Sequence, residues 1–396
     1  MRKAIIYIMM VWLGITSLKA SDSTDTVLRD SLSASLLTCS PGREIYELYG
    51  HTAIRIQNFS TGDDWVFNYG MFDFGKPNFL WRFVKGETDY ELGIVPFFYF
   101  LREYEVRGSS VVEQQLNLYP DELSRLWTLL VENYRLENRT YRYNFLYDNC
   151  TTRARDQIER SLDGKVIYPK GQKDITFRKI IHQYTKNDPW AEFGQDFLLG
   201  SEIDNNISER QQMFSPIYMM DFAAGAQIQN KDGRIRPLVI HTQKIVEEED
   251  TGIIENFPLS PMQFFLIWLV ITIGVCAAEI CYRKIFWGYD ILLLGIQGII
   301  GCVITFLFFF SLHPAVGSNW LILLFNPLPL IYLPREIYLA IKRKNDPYHW
   351  IACVVLTLFI TFFCLLPQNF SLAVVPLALN LWLRSASRIY IVKKNQ

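Results

Sequence analysis

The sequence lacks the motifs that identify most enzyme families. It has no Gly-x-x-x-x-Gly-Lys-Ser/Thr loop for phosphates, no Gly-x-Ser-x-Gly turn and no His-Glu-x-x-His zinc motif. The histidines ahead of residue 260, His51, His182 and His241, are widely spaced, so the sequence indicates neither a metal site nor a cofactor. This part of the chain has no basic patch either, which argues against a nucleic-acid partner.

Charge and cysteine are divided unevenly along the chain. Residues 21–260 contain 26 Lys and Arg against 36 Asp and Glu, whereas residues 261–396 contain 10 against 4. Only Cys39 and Cys150 occur in the acidic part, and the other five of the seven cysteines lie in apolar stretches. Two cysteines are too few for a disulfide scaffold, although they suffice for one bridge in an oxidising compartment. This division indicates two domains of different character.

The N-terminus has the pattern of a secretory signal. Arg2 and Lys3 precede an apolar stretch over residues 4–18, and Ala20 ends a tolerable cleavage site. We expect cleavage after Ala20, with an uncleaved anchor as the alternative. The predicted organisation is a signal peptide over 1–20, an exported domain over 21–260 and a transmembrane domain over 261–396.

Five apolar stretches predict transmembrane helices in the C-terminal part. They cover residues 262–281, 291–312, 320–339, 350–366 and 371–383, and most approach the ~20 residues that cross a bilayer. All ten basic residues of this part lie near the ends of the first, third and fifth stretches. The positive-inside rule then predicts an inner-membrane protein with a periplasmic exported domain and a cytoplasmic C-terminus.

The exported part is predicted to form one α+β domain. Segments typical of strands occur at 33–39, 49–57, 65–69, 111–119 and 141–147. Pro120 opens a predicted helix, and a second helix is expected from Cys150 to about residue 162. Beyond residue 164 the chain is predicted to be mostly helical up to 243. The aromatic segment 72–104 indicates core packing, or alternatively an acyl groove or insertion into the outer leaflet.

A thiol and an imidazole are the candidate reactive groups. Cys150 is predicted at a helix N-terminus, where the helix dipole stabilises a thiolate and backbone N–H groups can bind an oxyanion. His51, at the start of a predicted strand, is the candidate base. The residue types leave other interpretations open: Cys150 bridged to Cys39, Cys150 as an inert buried thiol, and His51 as a structural strand residue.

Four segments of the exported part resemble the Lnb family of Bacteroidota. They are Leu-Thr-Cys-Ser-Pro-Gly at 37–42, Tyr-Gly-His-Thr-Ala-Ile-Arg-Ile at 49–56, Phe-Asn-Tyr-Gly-Met-Phe-Asp-Phe at 67–74 and Asn-Phe-Leu-Tyr-Asp-Asn-Cys-Thr-Thr-Arg at 144–153. The domain is also similar to circularly permuted papain-like proteins of the NlpC/P60 type, which include lecithin:retinol acyltransferase. Segments at 311–314 and 326–328 resemble the family's membrane part, so the resemblance covers nearly the whole chain.

The resemblance implies a fold, an activity and catalytic residues. The implied fold is a circularly permuted papain-like α+β domain followed by an all-α bundle of five transmembrane helices. The implied activity is lipoprotein N-acylation, with a phospholipid as acyl donor, a diacylglyceryl lipoprotein as acceptor and no cofactor. Cys150 matches the nucleophile and His51 the base. Asn68 is the first candidate for the third catalytic residue, and Asp73 is the second.

Further residues are candidates for substrate binding. Asn149 is a candidate oxyanion donor beside the nucleophile, Arg55 lies on the predicted strand of His51, and Asp73 follows the strand of Asn68. His313 and Asn319 lie in the loop between the second and third predicted spans, where an ordinary polar loop is the alternative. For the chain as a whole, two other functions stay open. One is an envelope cysteine peptidase or amidase acting on peptidoglycan, and the other is a non-enzymatic membrane maturation factor.

Overall fold

The computed structural model describes residues 32–249 and 257–394, except residues 43, 45, 46, 74, 76 and 345. The predicted signal peptide lies outside the described residues, as does most of the predicted linker before the first apolar helix. The described part consists of a mixed α/β N-terminal region and a helical C-terminal region.

A seven-stranded antiparallel sheet forms the centre of the N-terminal region. Its strands, in chain order, are β1 (Leu32–Cys39), β2 (His51–Asn58), β3 (Asp64–Met71), β4 (Asp89–Pro96), β5 (Val111–Leu116), β6 (Thr140–Arg142) and β10 (Val239–Val246). Their spatial order is β10-β5-β1-β2-β3-β4-β6. The predicted strands at 33–39, 49–57, 65–69 and 111–119 are confirmed in substance, and consecutive side chains in each are buried, so both faces of these strands are covered.

Helices cover both faces of this sheet. α1 (Phe79–Lys85) and α2 (Phe97–Arg107) come from the aromatic segment, and α3 (Pro120–Tyr134) and α4 (Cys150–Ser161) are the two predicted helices. Leu36, Ile54 and Phe67 pack with α3 and α4 on one face, whereas Leu37, Ala53 and Val66 pack with α2 on the other. The period-2 pattern of the strands therefore feeds two hydrophobic clusters.

Two segments differ from the sequence-based expectation. Only Thr140–Arg142 of the predicted strand 141–147 is a strand, because the side chain of Asn144 accepts hydrogen bonds from the N–H groups of Leu146 and Tyr147 and turns the chain. The extension predicted as helical up to 243 ends instead in β10, which pairs with β5 at the edge of the sheet. Most side chains of β10 are exposed, so it lacks the apolar alternation that would identify a buried strand.

The rest of the extension is built from short elements. They are β7 (Lys165–Ile167), α5 (Phe177–Thr185), α6 (Pro189–Leu198), a 3₁₀ turn at Ser201–Asp204, α7 (Glu209–Gln212), α8 (Pro216–Gly225), β8 (Gln227–Gln229) and β9 (Ile235–Pro237). Strands β7, β8 and β9 form a small antiparallel sheet. Of these elements, α6 matters most for the site because it separates the sheet domain from the apolar helices.

Among the described residues of the C-terminal region there are five α-helices. They are α9 (Pro261–Tyr282), α10 (Trp287–Phe310), α11 (Leu328–Ile341), α12 (Pro347–Phe362) and α13 (Val374–Lys394). Three segments, Pro261–Tyr282, Trp287–Phe310 and Pro347–Leu365, are long and apolar enough to cross a membrane. Helix α11 has 14 residues, and α13 carries four basic residues, Arg384, Arg388, Lys393 and Lys394.

The predicted third span, 320–339, is not one continuous helix. The chain forms a 3₁₀ turn at Trp320–Leu323 and starts α11 only at Leu328. Pro327 and Pro329 cannot donate backbone hydrogen bonds, and the side chain of Asn326 accepts the N–H of Leu328. A helix therefore has to restart at this point rather than run through it.

Candidate active site

Cys150 lies at the first position of α4, as the sequence predicts. Asn149 caps this helix, since its Oδ1 accepts the backbone N–H groups of Thr151 and Thr152 at 2.9 Å each. Its Nδ2 donates to the carbonyls of Phe145 and Phe214, which fixes the cap in the core. Asn149 thus fixes the position of Cys150, and both of its amide hydrogens are already engaged, which argues against the expected oxyanion role for its side chain.

His51 begins β2 directly after a tight turn at Gly50. Gly50 has a φ of +75°, and a Cβ at this position would lie 2.4 Å from the carbonyl oxygen of Cys39. A residue with a side chain would therefore clash with the neighbouring strand. Glycine lets the chain turn closely enough to bring the imidazole to the end of the sheet where α4 begins.

The imidazole of His51 lies beside the thiol of Cys150, close enough for each group to shift the pKa of the other. Burial alone raises the pKa of Cys150, but the positive charge and hydrogen bond of His51, together with the N–H donated by Thr52, lower it below its ordinary value of 9.0. Burial alone lowers the pKa of His51, but the Cys150 thiolate and the hydrogen bonds to Cys150 and Asn68 raise it above 6.5. The two groups thus favour a thiolate–imidazolium pair.

Asn68 on β3 orients the imidazole. The Nε2 of His51 donates to Oδ1 of Asn68 at 2.5 Å, which leaves Nδ1 for the thiol. β3 ends beside the nucleophile, because a Cβ at Gly70 would lie 3.7 Å from the Cβ of Cys150. Asp73, the second candidate, is exposed and its Oδ1 accepts the N–H of Gly75 instead. The geometry supports a Cys150–His51–Asn68 triad.

Backbone N–H groups are the available oxyanion donors. The cap of α4 engages the N–H groups of Thr151 and Thr152, whereas the N–H of Cys150 has no acceptor among the described residues. The hydroxyls of Thr52 and Thr151, 3.0 Å apart, join β2 to α4 just beneath the thiol. No local sequence signal identifies these two threonines, because only the packing of α4 on β2 brings them together.

Cys39 does not engage Cys150 in the structure, where both thiols are free. It lies on β1 directly opposite His51 and packs in the cluster beneath α2. Burial raises the pKa of the Cys39 thiol far above its ordinary value, although a hydrogen bond with Tyr104 opposes this. Cys39 is therefore a buried apolar residue, whereas Cys150 carries the charge-stabilising partners.

Arg55 belongs to the sheet rather than to the thiol site. Its guanidinium donates to both carboxylate oxygens of Asp64 and to Glu113, at 2.6–2.8 Å, and lies over the ring of Phe97. Arg55 on β2 is therefore paired with a carboxylate on β3 and another on β5, within the sheet. The arrangement fits the structural alternative for this residue.

His313 and Asn319 hold the N-terminal region against the apolar helices. The Nε2 of His313 lies 2.5 Å from the carbonyl oxygen of Phe83 at the end of α1. Asn319 is buried, and its Nδ2 donates to the carbonyls of Phe197 and Leu198 at the end of α6. Both residues therefore fix the position of the sheet domain, and neither lies among the contacts of Cys150.

A series of aromatic rings leads from the apolar helices to the thiol. On α1, Trp81 lies 5.0 Å from Phe306 of α10, ring centre to ring centre. At the other end of the series, Tyr90 stacks on Tyr143 at 4.3 Å. Burial is the main cause that raises the pKa of Tyr143, and the negative charge of the Cys150 thiolate raises it further. From Tyr90 the series continues through Phe72 and Phe79 to Phe83 of α1, at successive ring distances of 5.1, 6.0 and 6.2 Å. Phe83 in turn lies 5.4 Å from the ring of His313, in the loop after α10.

An apolar cavity of about 390 Å³ lies between α6 and helices α9, α10 and α13. It is lined by Phe193, Gly194 and Phe197 of α6, and by apolar side chains such as Phe265, Trp268 and Val303 of the long helices. On α6, the side-chain oxygen of Gln195 accepts a hydrogen bond from the hydroxyl of Tyr49 at 2.5 Å. Tyr49 lies two residues before His51. One helix thus contacts both the cavity and the loop that positions the base.

Comparisons with known proteins identify the family. A family model described as the Lnb N-terminal periplasmic domain matches residues 19–183, and one described as the Lnb transmembrane domain matches residues 253–396. No curated protein and no solved structure matches the chain. Two models of one family cover most of the sequence and agree with the division into a sheet domain and apolar helices. The chain therefore belongs to the Lnb family, as a membrane protein with a periplasmic N-terminal domain followed by a transmembrane domain.

Proposed function

We propose that this protein is a lipoprotein N-acyltransferase that uses Cys150 as a thioester-forming nucleophile. Membership of the Lnb family is consistent with an enzyme of lipoprotein maturation in the cell envelope. The observation that carries the proposal is the Cys150–His51–Asn68 arrangement at the N-terminus of α4, in a domain docked on apolar helices.

The first half-reaction transfers the acyl chain to sulfur. The Cys150 thiolate attacks the ester carbonyl carbon of a phospholipid, and the electron pair of the C=O bond moves to oxygen. The N–H of Cys150 stabilises this oxyanion at the positive end of α4. When the tetrahedral intermediate collapses, the ester C–O bond breaks and imidazolium His51 gives its proton to the departing lysophospholipid.

The second half-reaction transfers the chain from sulfur to nitrogen. The α-amino group of a diacylglyceryl-cysteine lipoprotein attacks the thioester carbonyl, and neutral His51 removes a proton from the amine. The C–S bond breaks as the amide forms, which regenerates the thiolate and the imidazolium. Asn68 acts on the imidazole alone and keeps Nδ1 directed at the reacting atoms.

Two features favour substrates that reside in a bilayer. Helix α1 packs on α10 through Trp81 and Phe306, and Leu80 of the same helix is 74% exposed, as expected of a side chain that enters lipid. The cavity under α6 has the volume of a small-ligand site, ~300–1,000 Å³, and is lined almost wholly by apolar side chains. We infer that it receives an acyl chain of the donor phospholipid.

The proposal includes the fold type and the membrane orientation. The order of an early strand histidine, a strand asparagine and a later cysteine at a helix start is consistent with a circularly permuted papain-like domain. Five helices with their basic residues on one side are consistent with five spans in the inner membrane and a cytoplasmic C-terminus. In this arrangement α11 and α13 cross the bilayer in contact with the three more apolar helices.

Mass spectrometry of lipoprotein N-termini tests this proposal. In cells that depend on this protein, we expect Cys150→Ser and His51→Ala to abolish N-acylation, so that diacylated lipoproteins accumulate. Cys39→Ala is the matched control, because it removes the other thiol of the described sheet domain, and it should leave N-acylation intact.

Two outcomes would contradict the proposal. Normal N-acylation in both site variants, with the protein present and folded, would favour a non-enzymatic maturation factor. Altered peptidoglycan fragments together with unchanged lipoproteins would favour a cysteine peptidase or amidase.

A further inference from the structure

A second cluster of buried polar groups lies among the C-terminal helices, away from the thiol. It comprises Glu336 of α11, Asp346 just before α12, and His349 of α12, with exposed fractions of 0%, 3% and 1%. One ligand atom from each of the three lies within 4.8 Å of the others. The proposed acyl transfer uses none of them.

Each of the three side chains is held in place through one of its two polar atoms. The Nδ1 of His349 lies 3.3 Å from the hydroxyl of Ser385 on α13. Asp346 Oδ1 accepts the hydroxyl of Tyr332 and the N–H of Tyr348, both at 2.9 Å. Glu336 Oε1 accepts Nε–H of Arg388 at 3.2 Å. Such outer contacts are the ones that orient ligands around a metal ion.

The second polar atom of each side chain has no hydrogen-bond partner among the described residues. These atoms are Oε2 of Glu336, Oδ2 of Asp346 and Nε2 of His349. The Nε2 of His349 approaches Oε1 of Glu336 to 3.6 Å, which is too long for a hydrogen bond. Leaving a buried polar atom unpaired is energetically unfavourable, so three such atoms in one place indicate a missing partner.

A neighbouring buried cluster shows that the fold can pair such charges fully. Arg384 of α13 donates to both carboxylate oxygens of Glu279 and to both of Asp290. The same helix supplies Arg388 to Glu336, yet both terminal nitrogens of Arg388 lack partners. The unpaired atoms are therefore a property of this site and not of buried charges in the bundle generally.

We propose that Glu336, Asp346 and His349 bind a divalent transition-metal ion of the Zn²⁺ type. Two carboxylates and one guanidinium give the cluster a formal charge of −1, so a cation is favoured over an anion. One imidazole nitrogen with two carboxylate oxygens is a donor set that suits Zn²⁺, with a fourth position open. The terminal N–H groups of Arg388 can donate to an oxygen ligand there.

The metal would join α11, the shortest of the five described C-terminal α-helices, to α12. Two of its ligands lie on α11 and α12, while Ser385 and Arg388 attach α13 to them. The loop before α11 contacts the end of α6 through Asn319, whereas Asp346 follows the opposite end of α11, so the cluster lies toward the end of the bundle away from the periplasmic domain. Its role would be structural, because the proposed acyl transfer uses none of its ligands.

Metal analysis of the purified full-length protein in detergent tests this site. After growth with added Zn²⁺ and removal of loosely bound metal, we expect elemental mass spectrometry to find about one Zn²⁺ per chain. The isosteric change Glu336→Gln and the change His349→Gln should each remove most of it. His241→Ala, an exposed histidine on β10, is the control that should retain it.

A graded variant keeps the test decisive if a ligand variant misfolds. Ser385→Ala removes only the contact that orients His349, and it should weaken Zn²⁺ affinity about 10–100-fold in competition with a chelator. The proposal would be overturned if monodisperse wild-type protein contained no bound metal. It would also be overturned if the Zn²⁺ content of Glu336→Gln and the Zn²⁺ affinity of Ser385→Ala both equalled those of the wild type. In that event the three side chains would form a buried polar cluster that does not bind a metal.

Discussion

At the scale of single residues, the reactivity of Cys150 depends on which groups surround each of two buried thiols. Cys39 and Cys150 are both buried, and burial raises the pKa of each. Only Cys150 has an imidazole, a helix N-terminus and a backbone N–H directed at its sulfur. The net direction of the pKa shift is therefore opposite for the two thiols, although their burial is similar.

Alkylation of Cys150 by iodoacetamide should extend below pH 9. The thiolate exists above the lowered pKa of Cys150, and the imidazolium exists below the raised pKa of His51, so the reactive pair occupies the window between them. His51→Ala removes the charge that opposes burial, so the alkylation midpoint should rise. Peptide mapping of the alkylated full-length protein across a pH series measures the midpoint in the wild type and in His51→Ala.

Three further variants control this measurement. Asn68→Ala should raise the midpoint less than His51→Ala, because it removes one contact of the imidazole and not the imidazole itself. Asp73→Asn should leave the midpoint unchanged, because Asp73 contacts Gly75 instead. A midpoint that is the same with and without His51 would mean that the ion pair does not form. Cys39 should stay unlabelled throughout.

At the scale of elements, α6 connects the apolar cavity to the loop that carries the base. Gly194 faces open space, so a side chain there can enter the cavity without a clash. We expect Gly194→Leu to lower the rate of acyl transfer about tenfold by occupying the volume of a lipid chain. The unfolding temperature should not fall, since leucine favours a helix over glycine by about 0.8 kcal/mol.

Gly274→Leu is the matched control for this variant. Gly274 lies on α9, is exposed on the outer surface of that helix and also faces open space. The Gly274→Leu variant therefore adds the same side chain to one of the long apolar helices without entering the cavity. Equal transfer rates in the two variants would mean that the cavity does not hold the acyl chain.

At the scale of the whole molecule, the loops between the apolar helices set the position of the active site. Asn319 ties the end of α6 to these loops through two carbonyls, and Gln368 donates to Leu199 beside them. Asn319→Ala should cost about 1–3 kcal/mol locally, because it leaves buried carbonyls unpaired. We expect faster amide hydrogen exchange over residues 189–204 and slower acyl transfer, with Cys150 alkylation unchanged.

Asn369→Ala provides the comparison within the same interface. Asn369 contacts Asp204 through its backbone and side chain, but it is exposed, so water can replace the lost hydrogen bond. Its exchange pattern should stay close to that of the wild type. If both variants behave alike, burial of Asn319 does not control the docking of the periplasmic domain.

The sequence by itself determined the elements whose signals are local. Apolar runs identify the long helices, strand-like segments between turn residues identify β1, β2 and β3, and an asparagine before Cys150 with Pro120 upstream marks two helix starts. The family resemblance, carried by the segments around His51 and Cys150, is confirmed by the two family models. All of these signals are contained in short windows of sequence, where backbone geometry and hydrophobic period act directly.

Only the tertiary structure decided how distant polar groups are paired. It brings His51, Asn68 and Cys150 together, although 99 positions separate the first from the last in the sequence. It engages Asn149 in capping, uses Arg55 in the sheet and assigns His313 and Asn319 to docking. It also assembles Glu336, Asp346 and His349. Hydrogen-bond partners depend on strand register and helix packing, and no local pattern in the sequence encodes those three-dimensional distances.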